Sequence, residues 1–150
     1  MADSNVAARE TALSFTVWGI AQPKGSTRAF VPKGWTRAVV TAANSKTKGW
    51  QELVAEAALV AMPSPTLIAG PIALSVSFYL PRPKSIKTRT VPHTKKPDLD
   101  KLVRAVKDGL TRIVWHDDAQ VVEVKAWKFY ADPHVTPHAF VSVRSVRDDA

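Results

Sequence analysis

The chain has 150 residues, 45% of them hydrophobic, and carries 21 Lys and Arg against 13 Asp and Glu for a formal charge of +8. That size and apolar content fit one folded domain and exclude a disordered chain, and the charge favours a polyanionic partner, nucleic acid before an anionic membrane. With no cysteine, disulfide frameworks, thiolate metal sites and cysteine nucleophiles drop out, which leaves oxygen or imidazole to hold any metal.

Residues 1–11 are polar and mixed in charge, without the basic start and apolar core of a secretion signal, and no apolar run reaches membrane-spanning length. The expectation is a cytoplasmic protein with no membrane partner. Leu13, Phe15 and Val17 alternate with Ser14, Thr16 and Trp18, the period-two pattern of a half-buried strand ending near Gly19. Residues 22–28 form a polar, turn-rich loop. Short apolar pieces around Phe30-Val31 and residues 37–40 then suggest a hairpin across Pro32-Lys33-Gly34.

From Ser45, an expected N-cap, Trp50, Leu53, Val54, Ala57, Ala58 and Ala61 recur at helical spacing until Pro63 stops the run. Ile72, Leu74, Val76 and Phe78 alternate with small residues up to Pro81, a strand expected at the centre of a sheet. Residues 81–97 have no apolar period and no acid, and they carry Arg82, Lys84, Lys87, Arg89, Lys95, Lys96 and His93. Loops of this length inside a domain tend to be functional or disordered; this one is read as a DNA-contacting loop that grips phosphates without reading sequence, together with Lys101.

Leu99, Leu102, Val103, Val106, Leu110 and Ile113 trace a second apolar helical stripe, interrupted by Gly109. The segment 120–130 alternates again, with Val122, Val124 and Ala126 on one side and Val121, Glu123, Lys125, Trp127 and Phe129 on the other; Trp127 and Phe129 are expected to pack in the core ahead of contributing to a dimer surface. Ala139, Val141 and Val143 make a last strand. The expected architecture is a single α+β domain over residues 12–146, a mixed β-sheet packed against two main helices, with tails at 1–11 and 147–150.

Chemistry concentrates in Pro97-Asp98-Leu99-Asp100 and His116-Asp117-Asp118-Ala119-Gln120. Residues two apart on a helix point about 200° apart, so Asp98 and Asp100 converge only if Asp98 stands before the first turn in extended geometry, which Pro97 favours by cutting the preceding segment from any helix. Asp98 is then an N-cap candidate. Asp100, Arg104 and Asp108 share one helix face. A purely structural account makes Asp98 a cap, Asp100–Arg104 an ordinary ion pair, and Asp117-Asp118 a turn.

If the acidic turn returns to the helix start, Asp98, Asp100 and one of Asp117 or Asp118 form an oxygen cluster. Such carboxylates repel one another unless a cation neutralises them, and Mg²⁺ suits a few carboxylates completed by water and phosphate oxygens, with Mn²⁺ a substitute. The ion would activate water for phosphodiester hydrolysis, and Arg104 would bind the scissile phosphate.

The stretch from Asp98-Leu99-Asp100 to Asp117-Asp118-Ala119-Gln120-Val121-Val122 resembles the RusA family of Holliday junction resolvases, found in bacteria and their phages. The resemblance implies a homodimeric, Mg²⁺-dependent endonuclease that nicks four-way DNA junctions in pairs during recombination and repair, in a bacterial or phage-infected cell. It assigns the metal to Asp98, Asp100 and Asp118, and places Arg104 where the family has a lysine. Arginine keeps the charge there but does not readily exchange a proton. A two-fold protein also suits a junction of approximate two-fold symmetry.

Two rival readings stand beside it. Pro97-Asp98 with Glu123-Val124-Lys125 spells the PD-(D/E)xK nuclease pattern, with Asp98, Glu123 and Lys125 as its catalytic set. A non-catalytic, basic architectural DNA-binding protein would use the same acids structurally.

Overall fold

The computed structural model describes residues 12–25, 27–31, 33–34, 36, 39–42, 46–87 and 91–146; both expected tails, Ser45 and Arg89 lie outside them. Strand β1 (Ala12–Trp18) buries Leu13, Phe15 and Val17 and turns Ser14 and Trp18 outward, as the alternation predicts. Strands β2 (Thr27–Phe30) and β3 (Val39–Ala42) pair antiparallel in the expected hairpin, set further from its turn than the apolar pieces suggest. Helix α1 (Lys46–Ala61) buries Trp50, Val54 and Ala58 and ends before Pro63. Strand β4 (Ile72–Leu80), helix α2 (Leu99–Leu110), one 3-10 turn (Asp118–Gln120) and strands β5 (Val121–Tyr130) and β6 (His138–Ser145) follow.

The four-stranded sheet has the order β1-β6-β4-β5, antiparallel except for the parallel pair β4 and β5. Parallel neighbours require a crossover, and α2 supplies it. β4 therefore sits inside the sheet, with Ile72, Leu74, Val76, Phe78 and Leu80 toward the core. They join Leu102, Ala105, Val106 and Leu110 of α2, Val141 and Val143 of β6, and Trp50, Val54 and Ala58 of α1 in one cluster. Each fully buried Leu, Ile or Phe contributes roughly 1.5–3 kcal/mol. This is the α+β domain expected from the sequence, a mixed sheet under two main helices among the described residues.

Gly109, which weakens α2 in isolation, lies against α1: a Cβ there would meet the Gln51 carbonyl oxygen at 3.1 Å and Val54 Cβ at 3.4 Å. The helices cross where no side chain intervenes. Beyond α2, Val114 and Trp115 are fully buried although they follow no helical period, and the Trp115 indole donates to Thr111 Oγ1 at 3.1 Å.

β5 departs from its expected alternation. Ile72 pairs with Val121 but Ala73 pairs with Glu123, so a bulge at Val122 shifts the phase by one residue. Val121 thereby joins Val124 and Ala126 on the helix side, and Val122 is left exposed. The expectation that Trp127 and Phe129 pack in the core is corrected by the same register. Both lie on the face that the helices leave open, Trp127 is 45% exposed, and Phe129 stacks on Tyr79 at 5.7 Å. Tyr79 continues the row to His138 at 4.6 Å and His138 to Trp18 at 4.9 Å, one aromatic line across all four strands. No described helix is long and apolar enough to cross a membrane.

Candidate nuclease site

At the start of α2, Asp98 occupies the N-cap position in extended geometry (φ −69°, ψ 140°), outside the helix as convergence with Asp100 requires. Its carboxylate caps no amide, contrary to the structural reading of that residue. It stands instead 3.8 Å from Lys101 Nζ. Asp100 and Arg104 are exposed, and among the described residues neither side chain has an ion pair or hydrogen bond. The ordinary i,i+4 ion pair between them is not formed. Asp108, one turn further, is held by Lys24 at 3.2 Å.

The second acidic pair is built differently. Asp117 Oδ1 accepts from the Ala119 amide at 2.8 Å, and Gln120 Oε1 accepts from the His116 and Asp117 amides, both at 2.9 Å. Gln120 Nε2 donates to the carbonyls of Ile68 and Gly70, which ties this turn to the approach of β4. Asp117 is thus engaged in a capping box. Asp118, its neighbour, points one oxygen at Lys107 Nζ, 3.5 Å away, while its Oδ1 is buried with no hydrogen-bond partner. A buried carboxylate oxygen without a partner is costly.

Lys107 went unread in the sequence. The signal was present: three residues after Arg104 and seven after Asp100, it lies on their helix face. Its contact also corrects the expected convergence, because Asp98 and Asp100 stand at the first turn of α2 whereas Asp118 meets a residue of the last. A crossover helix runs back along the sheet, so the turn leading into β5 returns to the helix end. Among the described residues no three Asp, Glu or His side chains come together as a group able to hold a metal ion.

The PD-(D/E)xK arrangement is not assembled. Glu123 pairs with Ala73 at the beginning of β4, and Asp98 follows that strand's far end. Glu123 Oε2 instead accepts from Arg144 Nη2 at 3.2 Å, reaching over the small Ala73 that separates the two strands.

The basic loop divides. Arg82 is corrected as a DNA contact: its side chain is 8% exposed, Nε donates to the Ala131 carbonyl at 2.6 Å and Nη1 to that of Ile86 at 3.1 Å. Lys84 and Lys87 are exposed beside a cleft shared with the β5–β6 turn. The later half of the loop is stitched to β5. The Tyr130 amide donates to Val91 and the His93 amide to Lys128, while Lys128 Nζ donates to the carbonyls of Lys95 (2.6 Å) and Pro97 (2.8 Å).

This clamp forms one wall of a cavity of about 590 Å³ that opens beside Asp98, with Lys96 and Lys101 among its lining. The opposite wall is pinned by the Lys24 amide, which donates to the Lys101 carbonyl at 2.9 Å, and by Thr47 Oγ1, which donates to Pro23. His93 also lines the cavity. Its burial, reinforced by the charge of Lys128, lowers its pKa below the usual histidine value.

Residues 21–143 match the family model described as endodeoxyribonuclease RusA. The chain belongs to the RusA endodeoxyribonuclease family. It is also 33% identical over 144 residues to the uncharacterized protein YqaN of Bacillus subtilis (strain 168), a match covering 89% of this chain and 96% of that protein. The match to the RusA model begins in the loop after β1 and ends inside β6, so both acidic segments and the basic loop between them fall within it. Membership makes this chain a nuclease, with the acids at the ends of α2 as its candidate site.

Proposed function

We propose that this RusA-family chain is a homodimeric, Mg²⁺-dependent endonuclease that resolves four-way DNA junctions by paired phosphodiester hydrolysis, in recombination and repair in the cytoplasm of a bacterial or phage-infected cell. The observation that carries this reading is the start of α2. Asp98 holds the cap position without capping, and Asp100, exposed on the same turn, pairs with nothing among the described residues.

The donor set suits a hard divalent cation such as Mg²⁺ or Mn²⁺: Asp98, Asp100 and Asp118 are carboxylates, and Asp118 keeps a buried oxygen without a partner. Bound there, the ion would supply an activated water and neutralise charge on the phosphate. Asp98 and Asp118 each hold a lysine in the structure, and binding would exchange those ammonium groups for the cation. Because Asp118 lies toward the other end of α2, a single chain does not preassemble the trio, and assembly on DNA or within the dimer would complete it. Arg104 would grip the scissile phosphate through its guanidinium. Lys84, Lys87, Lys95, Lys96 and Lys101 would hold flanking phosphates, so binding should weaken as salt rises.

The deciding experiment incubates the purified protein with a labelled four-way junction and a linear duplex, in Mg²⁺ or EDTA, beside Asp100→Asn. Paired nicks confined to the junction, requiring Mg²⁺ and lost in the variant, are expected. Junction binding with every strand left intact in Mg²⁺ would defeat the enzyme reading and leave the architectural one.

A further inference from the structure

We propose that the cavity beside Asp98 receives one unstacked DNA base next to the scissile phosphate, so that cleavage-site preference is set there; this rests on the junction-cutting reading above. The cavity's shape and lining separate two tasks. Its walls are apolar, built from Ile20, Leu80, Pro81 and Pro97, while His93 supplies a hydrogen-bonding ring and Gln22 Nε2 is engaged with the Ile20 carbonyl at 3.3 Å. Apolar walls with few polar groups suit a flat heteroaromatic ring, and about 590 Å³ lies within the roughly 300–1,000 Å³ typical of sites that enclose small ligands. Phosphates would be poorly served by such walls. Their partners, Lys96 and Lys101, stand in the same lining beside Asp98, which keeps backbone and base within one nucleotide's reach.

The wall that would read the base is rigid. His93 packs on Tyr130 with ring centroids 4.5 Å apart, its amide donates to the Lys128 carbonyl, and its Nδ1 is buried without a hydrogen-bond partner. Burial and the Lys128 charge favour the neutral ring, and with Nδ1 buried it is Nε2 that the ring would offer to a base edge. Unstacking a base costs a few kcal/mol in a duplex and least where pairing is already broken, as at a branch point. The pocket would therefore favour branched over linear DNA without contacting the junction as a whole.

The test places 2-aminopurine singly at the nucleotides flanking the branch point and measures fluorescence of the bound junction in EDTA, where no strand is cut. One position should brighten by about threefold or more as its base leaves the stack. Ile20→Gln, which alters a half-exposed wall residue, should lose most of that gain. His93→Phe keeps the ring against Tyr130 and removes both nitrogens, so the gain should persist while cleavage of junctions differing at that base becomes nearly even in Mg²⁺. Thermal unfolding of each variant checks that it folds.

A bound junction that brightens at no position, or an undiminished gain in folded Ile20→Gln, would overturn the proposal while leaving junction cleavage intact. Failure to bind the junction at all would remove both readings together.

Discussion

Two acidic segments flank α2, and they are put to opposite uses. At the front, Asp98 holds a cap position yet caps nothing, and Asp100 is exposed with no partner among the described residues. At the back, Asp117 closes a capping box in which Gln120 satisfies two amides and two carbonyls, so that four hydrogen bonds fix the turn on which Asp118 rides. Aspartate serves both uses because its short carboxylate can satisfy local amides or remain free for a cation. Which use applies is decided by where its oxygens go. On the proposed reading Asp118 would act with the front segment: its neighbour does the capping, and its own Oδ1 is buried without a partner.

The largest effect that can break this contrast is on chemistry. If Asp100 is a metal ligand as proposed, Asp100→Asn should lower junction cleavage by about a thousandfold or more, since losing such a ligand forfeits several kcal/mol of transition-state stabilisation. Its thermal midpoint should stay at the parent's value, and a retained nicking rate would return the front acids to a structural role. Next comes the proposed phosphate-binding group. Arg104→Ala should cost about a hundredfold in rate, in line with removing one donor to developing charge, while Arg104→Lys should recover part of it. Recovery in full would show that charge alone is used, and none would show that the planar fork is needed.

The back segment should answer in stability instead. Asp117→Ala removes a cap and should cost about 1 kcal/mol, a fall of roughly 2–4 °C in Tm for a chain of this size. Nicking per folded molecule should change far less than in Asp100→Asn, and a comparable loss would erase the distinction. The smallest effect concerns His93. Its folded pKa lies below the ordinary 6.5, so the unfolded chain binds the proton more readily. Its stabilising contribution is complete above about pH 6.5 and declines as the pH falls through the lowered value. Chemical unfolding across that window should show the decline, and His93→Phe should flatten it.

Much of the fold is legible from periodicity. The inward Leu13, Phe15 and Val17, the α1 face at Trp50, Val54 and Ala58, and the central β4 each follow from spacing alone, because burial on one side imposes a period of two or 3.6. The phase of β5 was not legible, since a single bulge at Val122 reverses the sides of the residues before it. Nor was the inward turn of Arg82. An arginine in a basic loop reads as solvated until the Ala131 and Ile86 carbonyls are seen to meet its guanidinium.

The sequence by itself determined the α+β order of elements, the extended geometry of Asp98 before α2, and membership of a nuclease family, because these depend on neighbours along the chain. Only the tertiary structure decided that Asp118 meets Lys107 at the end of α2, that Glu123 is spent on Arg144, and that a stitched loop and the β1–β2 connection enclose a cavity beside Asp98. These are contacts between segments far apart in sequence. They are set by the crossover that makes β4 and β5 parallel and by the hydrogen bonds that pin each loop, and no local spacing encodes either.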